Sequence, residues 1–155
     1  MVRLSDLPDY ERKHLLLKNA GPLGPPVWTT PTKPLSEMRF ALITTAGIHY
    51  RDHQVFDLAD ASYRVIDGRE STANLVMSHT SVNFDKSAFI EDINVVFPID
   101  RFEELKSSGA IGDLARTHYS FMGAGLVPNQ YERSASQVAG HLKQDNIDAV
   151  FLTPV

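Results

Sequence analysis

The stretch Ile147-Asp148-Ala149-Val150-Phe151-Leu152-Thr153-Pro154-Val155 constrains the fold more than any other part of the chain. It is a short apolar run, led in by Asp145-Asn146, with β-branched and aromatic residues. Such a run reads as a strand buried on both faces, the pattern of a parallel sheet. Before it lies a helical pattern that sets Ala135, Val138, Ala139 and Leu142 on one face, with Asn129 as its expected cap. In open α/β sheets chemistry gathers outside the carboxyl ends of such strands. No loop and no return helix follow within the sequence. Two readings stand: a degenerate domain, or a domain truncated after its last strand whose most reactive residue lies past Val155.

The rest of the chain supports an α/β class with a mostly parallel open sheet flanked by helices, in Rossmann-like or flavodoxin-like layers. Arg39-Phe40-Ala41-Leu42-Ile43-Thr44-Thr45 is a strand start, apolar on both faces, running into Ala46-Gly47-Ile48-His49. The glycine there lets the backbone turn or approach a ligand closely. Tyr63-Arg64-Val65-Ile66 reads as a short edge strand closed by Asp67-Gly68. Asn74 to His79 reads as a second buried strand and Asn94 to Phe97 as a brief third, stopped by Pro98. Residues 50–62 and 80–94 read as loops. Asp100 and Glu103 fit a capping box for a helix that Gly109 closes. Thr117 to Gly123 reads as a glycine-punctuated loop.

Ahead of this domain, expected at 36–155, residues 1–35 divide into a helix and an arm. Pro8 and Asp9 suit the first turn of a helix over 4–18 that Gly21 ends. Pro22, Pro25, Pro26, Pro31 and Pro34 then exclude regular structure, so the segment reads as an extended Pro-rich arm anchored by Trp28. A chain of 155 residues is long enough for a real core. The net charge of −4 and the lack of a basic run argue against nucleic acid. No segment is long and apolar enough to span a membrane, and Asp6, Asp9 and Glu11 sit where a signal peptide would be basic. The expected location is cytoplasmic. The chain has no cysteine, which removes disulfides, thiolate nucleophiles and Cys-bound metals from these residues.

His49, His79 and His118 sit where strands or tight loops end, positions that can converge on one rim of a parallel sheet. Histidine transfers protons near neutral pH, so these are the candidate catalytic residues. Tyr63, Arg64, Asp85, Asp92, Arg101 and Tyr119 are the candidates for binding substrate, an arginine being suited to a carboxylate. The bland alternatives weigh as much: a lone histidine often ties a loop to backbone groups, and loop aspartates often make turns. Arg101 in a first helical turn suits a surface ion pair, and His14, His53 and His141 are assigned to the surface. No dinucleotide, phosphate-loop or zinc-protease motif is present, so no cofactor or metal is assigned. Three histidines suffice for a catalytic zinc or iron, but their spacing does not specify one.

Several stretches together resemble the glycine/sarcosine/betaine reductase selenoprotein B and D-proline reductase family. They are Pro34-Leu35-Ser36-Glu37, Ala41 to His49, Ala61-Ser62-Tyr63-Arg64-Val65-Ile66, Ser78-His79, Asp92 to Arg101, Ile111-Gly112, His118 to Gly123 and Asp148 to Val155. The resemblance covers about residues 34–155. It implies reductive cleavage of a C–N bond in an amino acid or related amine by a selenocysteine or a cysteine, which a dithiol then resets. It places that nucleophile directly after the strand ending at Val155, where this sequence has no residue. A selenocysteine codon, UGA, read as stop would account for that, so the resemblance implies a selenocysteine only if the chain continues. It also implies a thiol redox partner, and the uncovered strand implies a homo-oligomer or a partner subunit. The competing readings are a His-ligated metal-dependent hydrolase or lyase and a non-catalytic binding or assembly subunit.

Overall fold

The computed structural model describes residues 3–17, 24–25, 29–81 and 86–155. A single 3-10 turn at Leu4–Asp6 leads into helix α1, Asp9–Leu17, which buries none of its residues. Tyr10, Leu16 and Leu17 stand exposed on it. Trp28 and Gly21 lie outside the described residues, as does much of the expected Pro-rich arm. Residues 29–32 are exposed, and Lys33 is held by Asp148 at 2.7 Å.

The domain is built around strand β1, Arg39–Thr44. On one side it pairs in parallel with β7, Ala149–Thr153, from Phe40 opposite Ala149 to Thr44 opposite Thr153. On its other side it pairs in parallel first with β5, Asp113–Leu114, and then with β6, Thr117–Phe121. Strand β3, Tyr63–Asp67, closes the far edge antiparallel to β6. The sheet is therefore five-stranded, mixed and mostly parallel. Between β5 and β6 the register along β1 slips by two residues, from Arg39 opposite Asp113 to Ile43 opposite Tyr119. At the slip the Leu42 amide donates to Nδ1 of His118 at 3.0 Å, so an imidazole stands where a ladder would offer a carbonyl.

Side chains alternate across β1 with the strand period of two. Leu42 faces the larger core, with Ile48, Tyr50, Ile66, Phe97, Phe102 and Leu114. That layer includes α3, Ile99–Ser107, and a separate antiparallel pair made of β2, Ile48–Tyr50, and β4, Leu75–Met77. Ile43 faces the smaller core of Tyr119, Phe121 and Val138, which lies under α4, Glu132–Gln144. Helix α2, Ser87–Glu91, is one short turn beside the 3-10 turn Ile93–Val95.

Several local expectations are corrected. Asn94 to Phe97 is not a strand: Asp92 accepts the Asn94 amide at 2.9 Å and winds Ile93–Val95 into a 3-10 turn. Within the expected loop Thr117 to Gly123, Thr117–Phe121 is instead the second strand from the β3 edge, because Tyr119 and Phe121 fill one core while His118 and Ser120 are buried on the other face. The strand near His79 does not join the main sheet but pairs with β2. Pro98, not Asp100, precedes the first turn of α3, and Asp100 instead bonds Asn94 through both its amide and its carboxylate. Asn129 lies inside a 3-10 turn, Pro128–Tyr131, and Tyr131 stands at the helix start. The terminal strand forms as expected but is not buried on both faces: Val150, Phe151 and Leu152 are all exposed. Among the described residues no helix is long and apolar enough to cross a membrane.

Candidate functional site at the carboxyl rim

The carboxyl ends of β1, β6 and β7 meet the chain leaving β4. Parallel strands end together, and each end must satisfy its last amides with whatever stands beside it. The Thr45 amide donates to the Thr153 carbonyl at 3.1 Å, and the Thr45 hydroxyl accepts the Val155 amide at 2.8 Å. The Gly47 amide donates to the Phe121 carbonyl at 2.8 Å, and the Gly47 carbonyl accepts the Ser78 amide at 3.0 Å. The Ser78 hydroxyl in turn accepts the Phe56 amide at 3.1 Å. Thr80 donates to the Met122 sulfur at 3.2 Å.

Two glycines make the close approach possible. Gly123 has φ +76°, and a Cβ on it would lie 2.5 Å from the Thr45 carbonyl oxygen. Gly47 has φ +64° and lies against the His79 backbone, where a Cβ would come within 3.1 Å of the nitrogen. Left-handed backbone of this kind favours glycine.

The histidines divide. His79 lies at the rim beside Gly47, only 3% exposed. Its Nδ1 accepts the Ser81 amide at 3.2 Å, which puts the ring proton of the neutral form on Nε2. Its carbonyl accepts from the Lys86 ammonium at 2.6 Å. Burial, and then the Lys86 charge, pushes the His79 pKa below its ordinary value. His49 sits on β2, two residues past Gly47 and 1% exposed. Its Nδ1 is 2.8 Å from the Tyr50 carbonyl, which can only accept, so Nδ1 carries the proton and Nε2 carries the lone pair. That Nε2 is buried and meets no hydrogen-bond partner among the described residues. His118 is elsewhere, opposite Ile66 along β6 and edge-on to Phe97. It is fully buried, and burial pushes its pKa down to about 4. It is the acceptor for Leu42 rather than part of the rim.

The expected binding residues are spread over the molecule. Arg64 is buried, and its guanidinium donates to the Gln54, Val55 and Tyr63 carbonyls, to Ser62 and to Asp60. It also lies 4.1 Å above the Phe56 ring. Those contacts engage its five N–H groups, so in this arrangement it organises the 54–62 segment. Tyr63 and Tyr119 meet edge to face under α4, and both contact the His141 ring. Burial raises the Tyr119 pKa. Asp92 makes the turn described above, and Arg101 forms an exposed pair with Glu104 at 3.0 Å. Asp85 lies outside the described residues. Of the nine candidates, His79 and His49 stand next to the rim. Thr45 and Lys86 also lie at the rim and were not among the nine; the signal available for Thr45 was its place after β1 and before Gly47. Among the described residues no group of three His, Cys, Asp or Glu side chains is placed to hold a metal ion.

Residues 26–155 match the family model for glycine/sarcosine/betaine reductase selenoprotein B. The chain is 40% identical over 131 residues to the D-proline reductase subunit gamma of Acetoanaerobium sticklandii, covering 83% of this chain and 53% of that protein. It is 29% identical over 127 residues to the betaine reductase complex component B subunit beta of Peptoclostridium acidaminophilum, covering 79% of this chain and 29% of that one. It is 31% identical over 130 residues to the glycine reductase complex component B subunit gamma of Symbiobacterium thermophilum, covering 79% of this chain and 30% of that one. No solved structure matches the chain. The chain spans about half the length of the first of these relatives and under a third of the other two. It belongs to the glycine/sarcosine/betaine reductase selenoprotein B family.

Proposed function

We propose that this family member forms part of an amino-acid reductase, holding an amine or amino acid at the carboxyl rim of its sheet while a selenol or thiol cleaves a C–N bond. The nucleophile comes from polypeptide outside these 155 residues, which contain no cysteine. In the reaction the carbon–nitrogen bond breaks and the nitrogen leaves as a protonated amine. Two electrons come from a dithiol that ends as a disulfide. The relatives' names supply the class: they are subunits of D-proline, betaine and glycine reductases.

The observation that carries this reading within the molecule is the clasp of Val155 by Thr45, two residues before the Gly47 that lies against the His79 backbone. It brings the exit of β7 to the point where the carboxyl ends of β1 and β6 also meet. The Nε2 lone pair of His49 then takes the proton of the selenol or thiol as it attacks and passes it to the departing nitrogen, while the Nε2–H of His79 donates a hydrogen bond there. Proton transfer of this kind is worth about 10²–10⁴ in rate. Lys86 brings positive charge to the same rim, which favours an anionic nucleophile or a substrate carboxylate.

The test is selenium analysis by mass spectrometry of the protein purified from its native cells with whatever is bound to it. The same preparation is then assayed for dithiol-dependent release of amine or ammonia, or ring opening, from D-proline, glycine, sarcosine and betaine. Turnover of one of them, lowered at least a hundredfold by His79→Ala or His49→Ala, is the expected result. A selenium-bearing preparation inert towards all four sinks the reductase reading, and full activity in both variants removes the histidines from it.

A further inference from the structure

One edge of the sheet is unlike the rest of the surface. Among the described residues β7 pairs with β1 alone, so every second amide and carbonyl along it points away from the protein. Among the described residues the strand itself carries no guard for that edge. Ala149 to Thr153 contains no lysine, no proline and no charged side chain, the usual devices that keep an edge from pairing. Leu152 is 65% exposed, Phe151 43% and Val150 36%.

The two faces of β7 differ. Phe151 lies opposite Leu42 in register and meets the Phe102 ring of α3 at 5.1 Å, so its face already has part of a cover. Leu152 lies opposite Ile43, on the face where α4 packs, yet α4 stops short of it: Ile43 is inside the smaller core and Leu152 is not. A second copy related by a twofold axis through the sheet would pair β7 with β7. It would also set Val150 and Leu152 beside the same residues of the other copy, with no helix above either. The cover must therefore bring a strand for the edge and a helix for the Val150–Leu152 face. The D-proline reductase subunit gamma has about as much length again beyond what this chain spans, ample for a strand and a crossing helix of about 30 residues.

We propose that the free edge of β7 is the docking surface for a strand-and-helix unit. The occupant is polypeptide equivalent to the part of the D-proline reductase subunit gamma that this chain does not span. Its strand extends the sheet at β7, and its helix lies over Val150 and Leu152 beside α4. This inference concerns assembly and stands whether or not the reductase reading does.

The experiment co-expresses the 155-residue chain with the unmatched remainder of the Acetoanaerobium sticklandii protein as a separate tagged polypeptide. A one-to-one complex in sedimentation is expected, with hydrogen exchange at the outward amides of residues 149–153 slowed at least tenfold relative to the chain alone. Leu152→Lys should cut recovery at least tenfold. Val65→Lys, on the opposite edge strand and also exposed, should leave recovery unchanged. Where the remainder is insoluble by itself, the two parts are joined by a flexible linker and the same exchange measured. Equal recovery of the Leu152→Lys variant, or amides at 149–153 already protected in the monomeric chain, overturns the proposal. A homodimer of the chain that Leu152→Lys dissolves also overturns it, because the occupant is then a second copy.

Discussion

The sheet has two edges, and they are finished in opposite ways. Along β3 the edge is tied down by charge and hydrogen bonds. Arg64 folds the 54–62 segment back through its carbonyls, Ser62 and Asp60, and Asp67 is paired with Arg116 at 2.7 Å. Along β7 the edge carries Ala149, Val150, Phe151, Leu152 and Thr153, none of them charged, and among the described residues no strand pairs with its outer side. The contrast shows how residues are spent. Arg64 has the chemistry of a substrate clamp, but the fold uses it to close an edge. The apolar terminal strand has the chemistry of a core element, but here it is a surface. A polar candidate in a strand has to be weighed against the edge it must protect, and an apolar run against the neighbours available to cover it.

Arg64→Ala should break the closed edge with the largest effect. It leaves the half-buried Asp60 carboxylate without its cation and five acceptors without their donor. Removing one member of a buried pair costs about 3–5 kcal/mol, which urea denaturation measures directly. A loss below about 1 kcal/mol would mean that the 54–62 segment holds itself in place and that Arg64 is available for a ligand after all.

Next in size is the acid response of the β6 side. His118 is neutral in the folded protein because burial pushes its pKa down to about 4, whereas in an unfolded chain it titrates near the ordinary value of about 6.5. Between those pH values the unfolded chain binds a proton that the folded one refuses. Stability is thus full above about pH 6.5 and falls as the pH drops towards 4, by about 3 kcal/mol in all. His79, shifted in the same direction, adds to the slope. Asn in place of His118 keeps an acceptor for the Leu42 amide and does not titrate, so His118→Asn should flatten most of the loss between pH 6.5 and 4.5. An unchanged slope would place the titrating group elsewhere.

The smallest effect is expected at the open edge. Leu152→Lys in the chain alone should change unfolding free energy by no more than about 0.5 kcal/mol, as for other surface positions. A loss of about 2 kcal/mol would show that the residue is packed in solution, and the contrast between the edges would fail.

The parts legible in the sequence are those set by local pattern. Strand β1, the edge strand β3 and the terminal strand are continuous runs of β-branched and apolar residues with turn signals at their ends. The helices over 99–107 and 132–144 have one apolar face each. The position of His79 beside a glycine turn at a strand end was also legible, and its role is a matter for the experiment proposed above. The failures are equally local in origin. Thr117 to Phe121 holds threonine, histidine and serine and reads as a loop, yet it is an interior strand whose polar side chains are absorbed by the core and by the Leu42 amide. Asn94 to Phe97 has strand composition, but the side-chain bonds of Asp92 turn it into a 3-10 segment.

The sequence by itself determined the class of the protein, the family motifs and the absence of any cysteine nucleophile in these residues. Class and cysteine content follow from composition and periodicity, and the motifs from their likeness to one family; neighbours distant in the chain alter none of these. Only the tertiary structure decided what each polar group is for. It put His118 in a ladder, Arg64 on an edge, and His49 and His79 beside the rim. Among the described residues it also left β7 with one strand beside it instead of two. Those outcomes depend on partners far apart in the chain, such as Leu42 with His118 and Thr45 with Val155. A hydrogen bond or a buried face takes its meaning from the partner that meets it.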